Sequence, residues 1–439
     1  MYSIRTHHRQ IVTPIPNAQS LATVERLRRF ESRSTDSLAP IVWDRAEGYQ
    51  VYDAHGNCWI DFTSGIYVAN VGHSHPAIRD ALHQQIDQKL LHAYMFPTDV
   101  RTRFVERLVQ VTPPSLEKVF LLSTGSESIE CAIKLCRLHG MSIDQNKTLI
   151  ISSIGAFHGK TMGSQMLSSD PDSKKWIVNL DPDILHIPFP AETEGPEALN
   201  KHLGDLHERG VDLNRTAGFV LESYQGIGGP KFFHPSYMQA LRRWSQAHQA
   251  LLVFDEIQSG FGRTGKLFAY EHYGVEADLV CCGKGISSGL PLSAVIGRAQ
   301  ALDVPGAHSM SSTHTANPLC CAAGLATLEV LETENLISAA ANKGPLFENG
   351  LNQIQRRHPD RIVRVLGRGM VHALFFVCPG TSEPDLDMAE RVTDRAIQKG
   401  LMLFHTHGDF IKMGPPLVTP PDAIREGIEV LSEAVDECA

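Results

Sequence analysis

The sequence predicts an α/β protein: a mostly parallel central sheet with helices on both faces, joined to a smaller α+β domain. Three observations carry this. From about residue 100 to 300, short apolar runs alternate with segments of helical period, the pattern of strands joined by helical crossovers. The last hundred residues instead mix helices with short strands. The length, 439 residues, exceeds that of one ordinary domain. A chain of this size buries roughly 75% of its unfolded surface, enough for a large core. The expected division is residues 1–75, an N-terminal segment with a hairpin that joins the small domain; residues 76–330, the large domain; and residues 331–439, the C-terminal small α+β domain.

The elements follow in order. Residues 1 to about 40 are polar and predict an irregular, floppy tail. "MYSIRTHHRQIVTPIPNAQS" is basic, has no acid before Glu25 and lacks the apolar core of a signal peptide. "GYQVYDAHGNCWIDFTSGI" alternates apolar and polar residues around His55-Gly56-Asn57 and predicts a β-hairpin. "AGFVLES", "ALLVFDE", "LVCCG" and "SAVIG" read as buried strands, and "PSYMQALRRWSQAHQ" as a helix. In the C-terminal domain "DMAERVTDRAIQKG" and "PDAIREGIEVLSEAVDE" read as helices and "VHALFFV" as a strand.

Composition removes several function classes. Forty Lys+Arg against 49 Asp+Glu give a net charge of -9, which argues against general nucleic-acid binding. No apolar run approaches the roughly 18 residues that a membrane span needs. The nine cysteines form no CxxC pair and sit in apolar contexts such as Cys281-Cys282 and Cys320-Cys321. Free, buried thiols in a reducing, cytoplasmic compartment account for them. His73-x-His75 and His405-x-His407 lack Cys or carboxylate partners at ligand spacing, so no metal is expected.

In open α/β sheets ligands bind beyond the carboxyl ends of the strands, so the residues that follow each strand matter most. After "EKVFLLS", Thr124 and Glu127 have the spacing of a capping box, and Ile129, Ile133 and Cys136 fall on one helical face. Gly125 and Ser126 then stand at a helix start, where free N–H groups, a glycine and a hydroxyl suit an anion as well as a plain cap. Asp255 and Glu256 end the strand "ALLVFDE". The Gly260-x-Gly262-x-x-Gly265 that follows matches a dinucleotide fingerprint. It does not directly follow the strand, however, and no helix opens there, so it reads as a Gly-rich active-site loop.

Lys284 is the only charge between Leu279 and Gly297, and glycines flank it. A lysine stem can lie buried while its amine reaches water. Desolvation also lowers the pKa of an amine, and a neutral amine attacks carbonyls. An anion site at a helix start, an acid on one strand end and a lysine on a later one form an ordered trio. Pyridoxal phosphate (PLP) needs all three: the helix start for its phosphate, the acid for its pyridine nitrogen and the lysine for its aldehyde.

The chain resembles the class-III PLP-dependent aminotransferases, the ω-aminotransferase and 4-aminobutyrate aminotransferase-like group of fold type I, from about residue 40 to the C-terminus. The motifs are "GNCWIDFTSGI", "GHSHP", "STGSESIECAIKLCR", "GAFHGKT", "LESYQGIGG", "LLVFDEIQSGFGRTG", "DLVCCGKGISSGLPLSAVIG" and "STHTANPLCCAAGLATLEVL". The resemblance implies that Lys284 is the Schiff-base lysine and moves the substrate proton, that Asp255 partners the pyridine nitrogen, and that Gln258 donates to the ring hydroxyl. It makes Gly125 and Ser126 the phosphate cup, places Phe157 on the ring with His158 beside it, and assigns Thr313 to the phosphate of a neighbouring subunit. The site then lies at the subunit interface of a homodimer or a dimer of dimers. Glu222 resembles a carboxylate that gates a substrate-binding arginine, and Ile66 and Tyr67 occupy substrate-pocket positions.

Two positions depart from that pattern. Lys412, in "DFIKMGPPLV", and Lys160, after the aromatic-His-Gly motif, stand where relatives carry arginines toward a substrate carboxylate. Lysine attracts a carboxylate without the two parallel bonds of a guanidinium. The resemblance implies a ping-pong transaminase that moves an amino group from a primary amine or (ω-)amino acid to a 2-oxo acid. Racemases, epimerases, aminomutases and a decarboxylating transaminase of the same family remain the alternative; the Thr313-His314 pair is similar to one in the last of these.

Overall fold

The computed structural model describes residues 3–35, 39–404 and 408–439. His405 and His407, weighed above as metal ligands, lie outside the described residues. The chain forms two compact units: Met1–His75 with Ser338–Ala439, and Pro76–Ile337.

The second unit is built on a seven-stranded sheet. In chain order its strands are β1 (Lys118–Leu122), β2 (Leu149–Ser153), β3 (Ile184–Ile187), β4 (Thr216–Glu222), β5 (Leu251–Asp255), β6 (Leu279–Cys282) and β7 (Ser293–Gly297). In space they run β1-β7-β6-β5-β4-β2-β3. Only β7 is antiparallel to its neighbours, so β1 to β6 all point the same way. Strands β2, β4, β5, β6 and β7 are buried at every residue, which is why they read as continuous apolar runs rather than alternating ones. Helix α1 (Gly125–Ile143) packs on this sheet, and Ile129, Ala132, Leu135 and Cys136 join Val220, Val253 and Cys281 in its core.

The expected hairpin forms in the first unit: Gln50–Tyr52 pairs antiparallel with Cys58–Asp61. Trp59 is fully buried there and donates from Nε1 to the Ile397 carbonyl at 2.8 Å. A three-stranded antiparallel sheet holds Ile362–Arg368, Val371–Phe376 and Phe410–Met413 in that order, with helices at Leu386–Gln398 and Pro421–Cys438.

The described residues of the N-terminal stretch differ from expectation: Ile4–Arg5 and Gln10–Ile11 pair as strands, and Ala18–Phe30 is a helix capped by Asn17. The cause is bonding to residues far away in the chain. Asn57 Oδ1 accepts from Val12 and Thr13 N–H, Gln50 Nε2 donates to the His8 carbonyl, and Arg9 pairs with Glu426 at 2.8 Å. Local composition carries none of this.

His73 meets Asp61 at 2.7 Å. Of the nine cysteines, seven are buried and Cys378 and Cys438 are half-buried, all as free thiols. No helix among the described residues is long and apolar enough to cross a membrane.

Candidate active site

Because β1 to β6 are parallel, their carboxyl ends share one edge of the sheet, and a cavity of about 350 Å³ opens there. Five of these strands each deliver one part of its lining. After β1 come Gly125 and Ser126; after β2, Phe157, His158 and Lys160; β4 ends in Glu222; β5 ends in Asp255 and leads to Gln258; after β6 comes Lys284. Nine residues expected from the sequence thus line one cavity within one unit.

The first turn of α1 is held by the capping box that its sequence predicts. Thr124 Oγ1 accepts from Glu127 N–H at 3.2 Å, and Glu127 Oε2 accepts from Thr124 and Ser123 N–H at 2.8 and 3.0 Å. N–H groups at a helix start have no intrahelical acceptor and suit an anion. Space beside them depends on Gly159. Its φ of +129° disfavours any side chain, and a Cβ there would stand 2.2 Å from Ser126 Oγ and 2.7 Å from Ser164 Oγ.

Asp255 is buried and doubly held: Oδ1 accepts from Ile257 N–H at 3.0 Å, and Oδ2 lies 2.8 Å from His158 Nδ1. The other ring nitrogen of His158 sits 3.1 Å from Ser152 Oγ. Burial works against protonating His158, but the bond to Asp255 and the charges of Asp255 and Glu222 outweigh it, and its pKa is raised. Glu222 neighbours Asp255 across the β4–β5 pairing and accepts from Phe157 N–H at 3.1 Å and Gly226 N–H at 2.9 Å. Burial pushes its carboxyl up to about 7, with Asp255 adding to the shift and His158 opposing it.

Lys284 opens a short 3₁₀ turn directly after β6. Burial lowers its pKa, although Asp255 and Glu222 pull the other way. A Cβ on Gly283 would be 3.1 Å from Ile257, and one on Gly125 would be 3.0 Å from the same side chain. The two backbones therefore close tightly around Ile257 next to the lysine.

Other expected residues lie elsewhere. Thr313 is exposed, in the turn before helix Pro318–Thr333, and does not line the cavity. Lys160, by contrast, is one of the nine and is exposed where it lines the cavity. Ile66, Tyr67 and Lys412 belong to the first unit. Ile66 is 48% exposed, whereas Tyr67 is buried, with the Lys412 ammonium 4.8 Å from its ring centre. Ser64, Gly65, Ile66 and Tyr67 all have positive φ, from +48° to +67°, an unusual run for residues with side chains.

Sequence reasoning missed Gly159, Tyr224, Gly226, Ile227, Ile257 and Ser259, which also line the cavity. Tyr224 lies two residues past the acid that ends β4, a position that strand-end reasoning reaches once the stretch beyond the strand is included. The three glycines at 260, 262 and 265 contribute nothing to the lining. Their loop runs beside Glu256, which accepts from Ser223, Ser259, Ala269 and Tyr270 and is fully buried.

One cavity therefore combines a lysine amine, two carboxylates, a histidine and a helix start whose N–H groups suit an anion. The chain belongs to the class-III aminotransferase family: the family model Aminotransferase class-III matches residues 31–435. It is 32% identical to the 4-aminobutyrate aminotransferase of Mycobacterium leprae, over 98% of this chain and 98% of that protein. It is 34% identical to the ornithine aminotransferase of Emericella nidulans, over 91% of this chain and 86% of that one. Among solved structures, an amine transaminase from an uncultivated Pseudomonas species, in its PLP-bound form, matches with a TM-score of 0.85 at 25% identity, covering 93% of this chain and 97% of that chain.

Proposed function

We propose that the protein is a PLP-dependent transaminase that moves an amino group from a primary amine or ω-amino acid to a 2-oxo acid such as 2-oxoglutarate or pyruvate. The observation that carries the reading is that Lys284, Asp255 and the Gly125–Ser126 helix start line one cavity. The residues fit the group. The helix start and the side-chain-free face of Gly159 suit its phosphate, Phe157 offers a ring face, Asp255 an acceptor for the ring nitrogen and Gln258 an amide for the ring oxygen. Bound PLP supplies an aldehyde carbon that carries the amino group and an electron-withdrawing ring that eases proton removal beside it.

The chain's own groups do the rest. Burial raises the neutral fraction of the Lys284 amine, and Nζ then serves as nucleophile and as the base that takes and returns the substrate proton. Asp255 stays oriented because Ile257 N–H and His158 occupy its two oxygens, leaving its remaining lone pairs for the ring nitrogen. His158 is itself positioned by Ser152. Lys160, at the cavity edge, attracts the carboxylate of a 2-oxo acid as a point charge. Thr313, exposed on the single chain, serves the site of a second copy, which makes the working enzyme a homodimer with its site at the subunit interface.

The test is spectroscopic and kinetic. Wild-type protein with PLP should show a visible band that an amine alone converts, with release of a carbonyl product. Lys284→Ala should lose the lysine-dependent band, and turnover should fall by about 10⁴-fold or more. A wild type that binds no PLP, or a Lys284→Ala variant that keeps both band and turnover, would overturn the assignment. Racemisation or carbon dioxide release across an amine panel without amino transfer would replace it with the alternative.

A further inference from the structure

We infer that Tyr224 is a positioning residue for Gln258: its phenol holds the amide carbonyl, so that the side chain turns its N–H groups toward the oxygen bound beside it in the cavity. The inference rests on the reading above, in which Gln258 meets a ring oxygen of PLP.

Tyr224 is 1% exposed and lines the cavity, and its Oη donates to Gln258 Oε1 at 3.2 Å. The tyrosine is well anchored. It sits in the strand pair of Tyr224–Gln225 with Lys231–Phe232, directly opposite Phe232, whose ring centre is 5.3 Å from its own. On its other side the amide is backed by Gly226. A Cβ there would lie 3.4 Å from Gln258 Oε1 and 3.6 Å from Nε2, and only 2.6 Å from Glu222 Oε1. The Gly226 N–H in turn donates to Glu222.

Amide chemistry supplies the direction. A glutamine offers one carbonyl acceptor and one NH₂ donor, and the two exchange places when the amide flips. Burial keeps the Tyr224 phenol protonated far above its ordinary range, so it remains a donor at any working pH. Gln258 Oε1 is the acceptor for that proton among the described residues. A flipped amide would leave a buried phenol proton without an acceptor, the more expensive arrangement. Tyr224 thus removes one of two amide orientations, and the one that remains directs donors, not an acceptor, at a partly negative oxygen. The hydroxyl bonds to Gln258 and not to Lys284, the group assigned to proton transfer; it acts through Gln258.

The experiment uses the full chain loaded with PLP. Tyr224→Phe keeps the ring against Phe232 and removes only Oη. It should move the pH midpoint of the visible absorption change of bound PLP by about one unit and weaken PLP binding by about fivefold. The KM for the amine should stay near its wild-type value. Tyr224→Met repeats the comparison with a side chain of different shape. Gln258→Ala should produce the same midpoint shift, and adding Tyr224→Phe to it should change nothing further, because both act on one contact. An unmoved midpoint in Tyr224→Phe and Tyr224→Met overturns the inference, as does an undiminished shift in the Gln258→Ala background. A wild type without a PLP band overturns the reading of the cavity and this inference with it. A normal wild-type band with unmoved tyrosine variants overturns this inference alone.

Discussion

Lys284 occupies the left-handed backbone region, with φ at +45°, where an L side chain costs about 1 kcal/mol or more. This strained residue is also one that lines the cavity, the setting in which backbone strain is commonly retained. Glu222 shows the same logic in its electrostatics. Two N–H donors hold it, yet burial raises its carboxyl to about 7. As pH rises through that value the residue loses its proton and the cavity gains a negative charge that attracts an ammonium substrate. The apparent KM for a cationic amine should therefore fall as pH rises from 6 to 8, by about fivefold for a partly screened charge pair. Glu222→Gln should flatten that window. A KM profile that keeps its slope in the variant would place the titration on another group.

At the scale of elements, the active edge depends on how α1 and the short helix α2 (Met162–Leu167) are tied together. Ser126 and Glu130 stand four residues apart, on one face of α1. Ser126 meets Gly159, while Glu130 Oε1 accepts from Thr161 Oγ1 at 2.5 Å, Gly163 N–H at 2.8 Å and Ser164 N–H at 3.1 Å. A carboxylate at the start of α2 satisfies donors that the helix cannot, and it anchors the loop that carries Lys160. Glu130→Ala should lower stability by about 1–2 kcal/mol, the usual effect of losing a cap. It should also speed hydrogen exchange at Gly163 and Ser164. Glu130→Gln keeps an acceptor and should recover part of the loss. Unchanged exchange at those two amides in Glu130→Ala would show that the loop is held by other contacts.

At the scale of the whole molecule, acid stability should follow His372. It is buried in Val371–Phe376 against Phe347, 4.9 Å between ring centres, and its Nδ1 has no hydrogen-bond partner among the described residues. Burial drives its pKa from the ordinary 6.5 down to about 3. A folded pKa below the unfolded one contributes stability that is present above pH 6.5 and is lost as pH falls from there toward 3. Between pH 7 and 4.5 the loss should be about 2–3 kcal/mol. Urea denaturation of wild type and His372→Leu at both pH values measures it: the variant should lose less. Equal losses would assign the acid sensitivity to carboxylates instead.

What the sequence determined by itself was the kind and order of elements, because apolar period and capping are local. The continuous runs of β4, β5 and β6, the Thr124–Glu127 box and the isolated Lys284 could all be read from neighbours in the chain. It also determined that Asp255 ends a strand while Gly125 and Lys284 follow strands, and so that they would share an edge if those strands were parallel. The strands near the N-terminus escaped it for the complementary reason: Asn57, Gln50 and Glu426 hold Val12, His8 and Arg9 from far along the chain. Only the tertiary structure decided the strand order β1-β7-β6-β5-β4-β2-β3, which sets Glu222 beside Asp255, and the approach of Gly159 to Ser126. It alone turned Tyr224 onto Gln258 and buried the Lys412 ammonium against Tyr67. Register, close approach and side-chain pairing are settled by packing between distant segments, and a linear pattern holds no record of which segments those are.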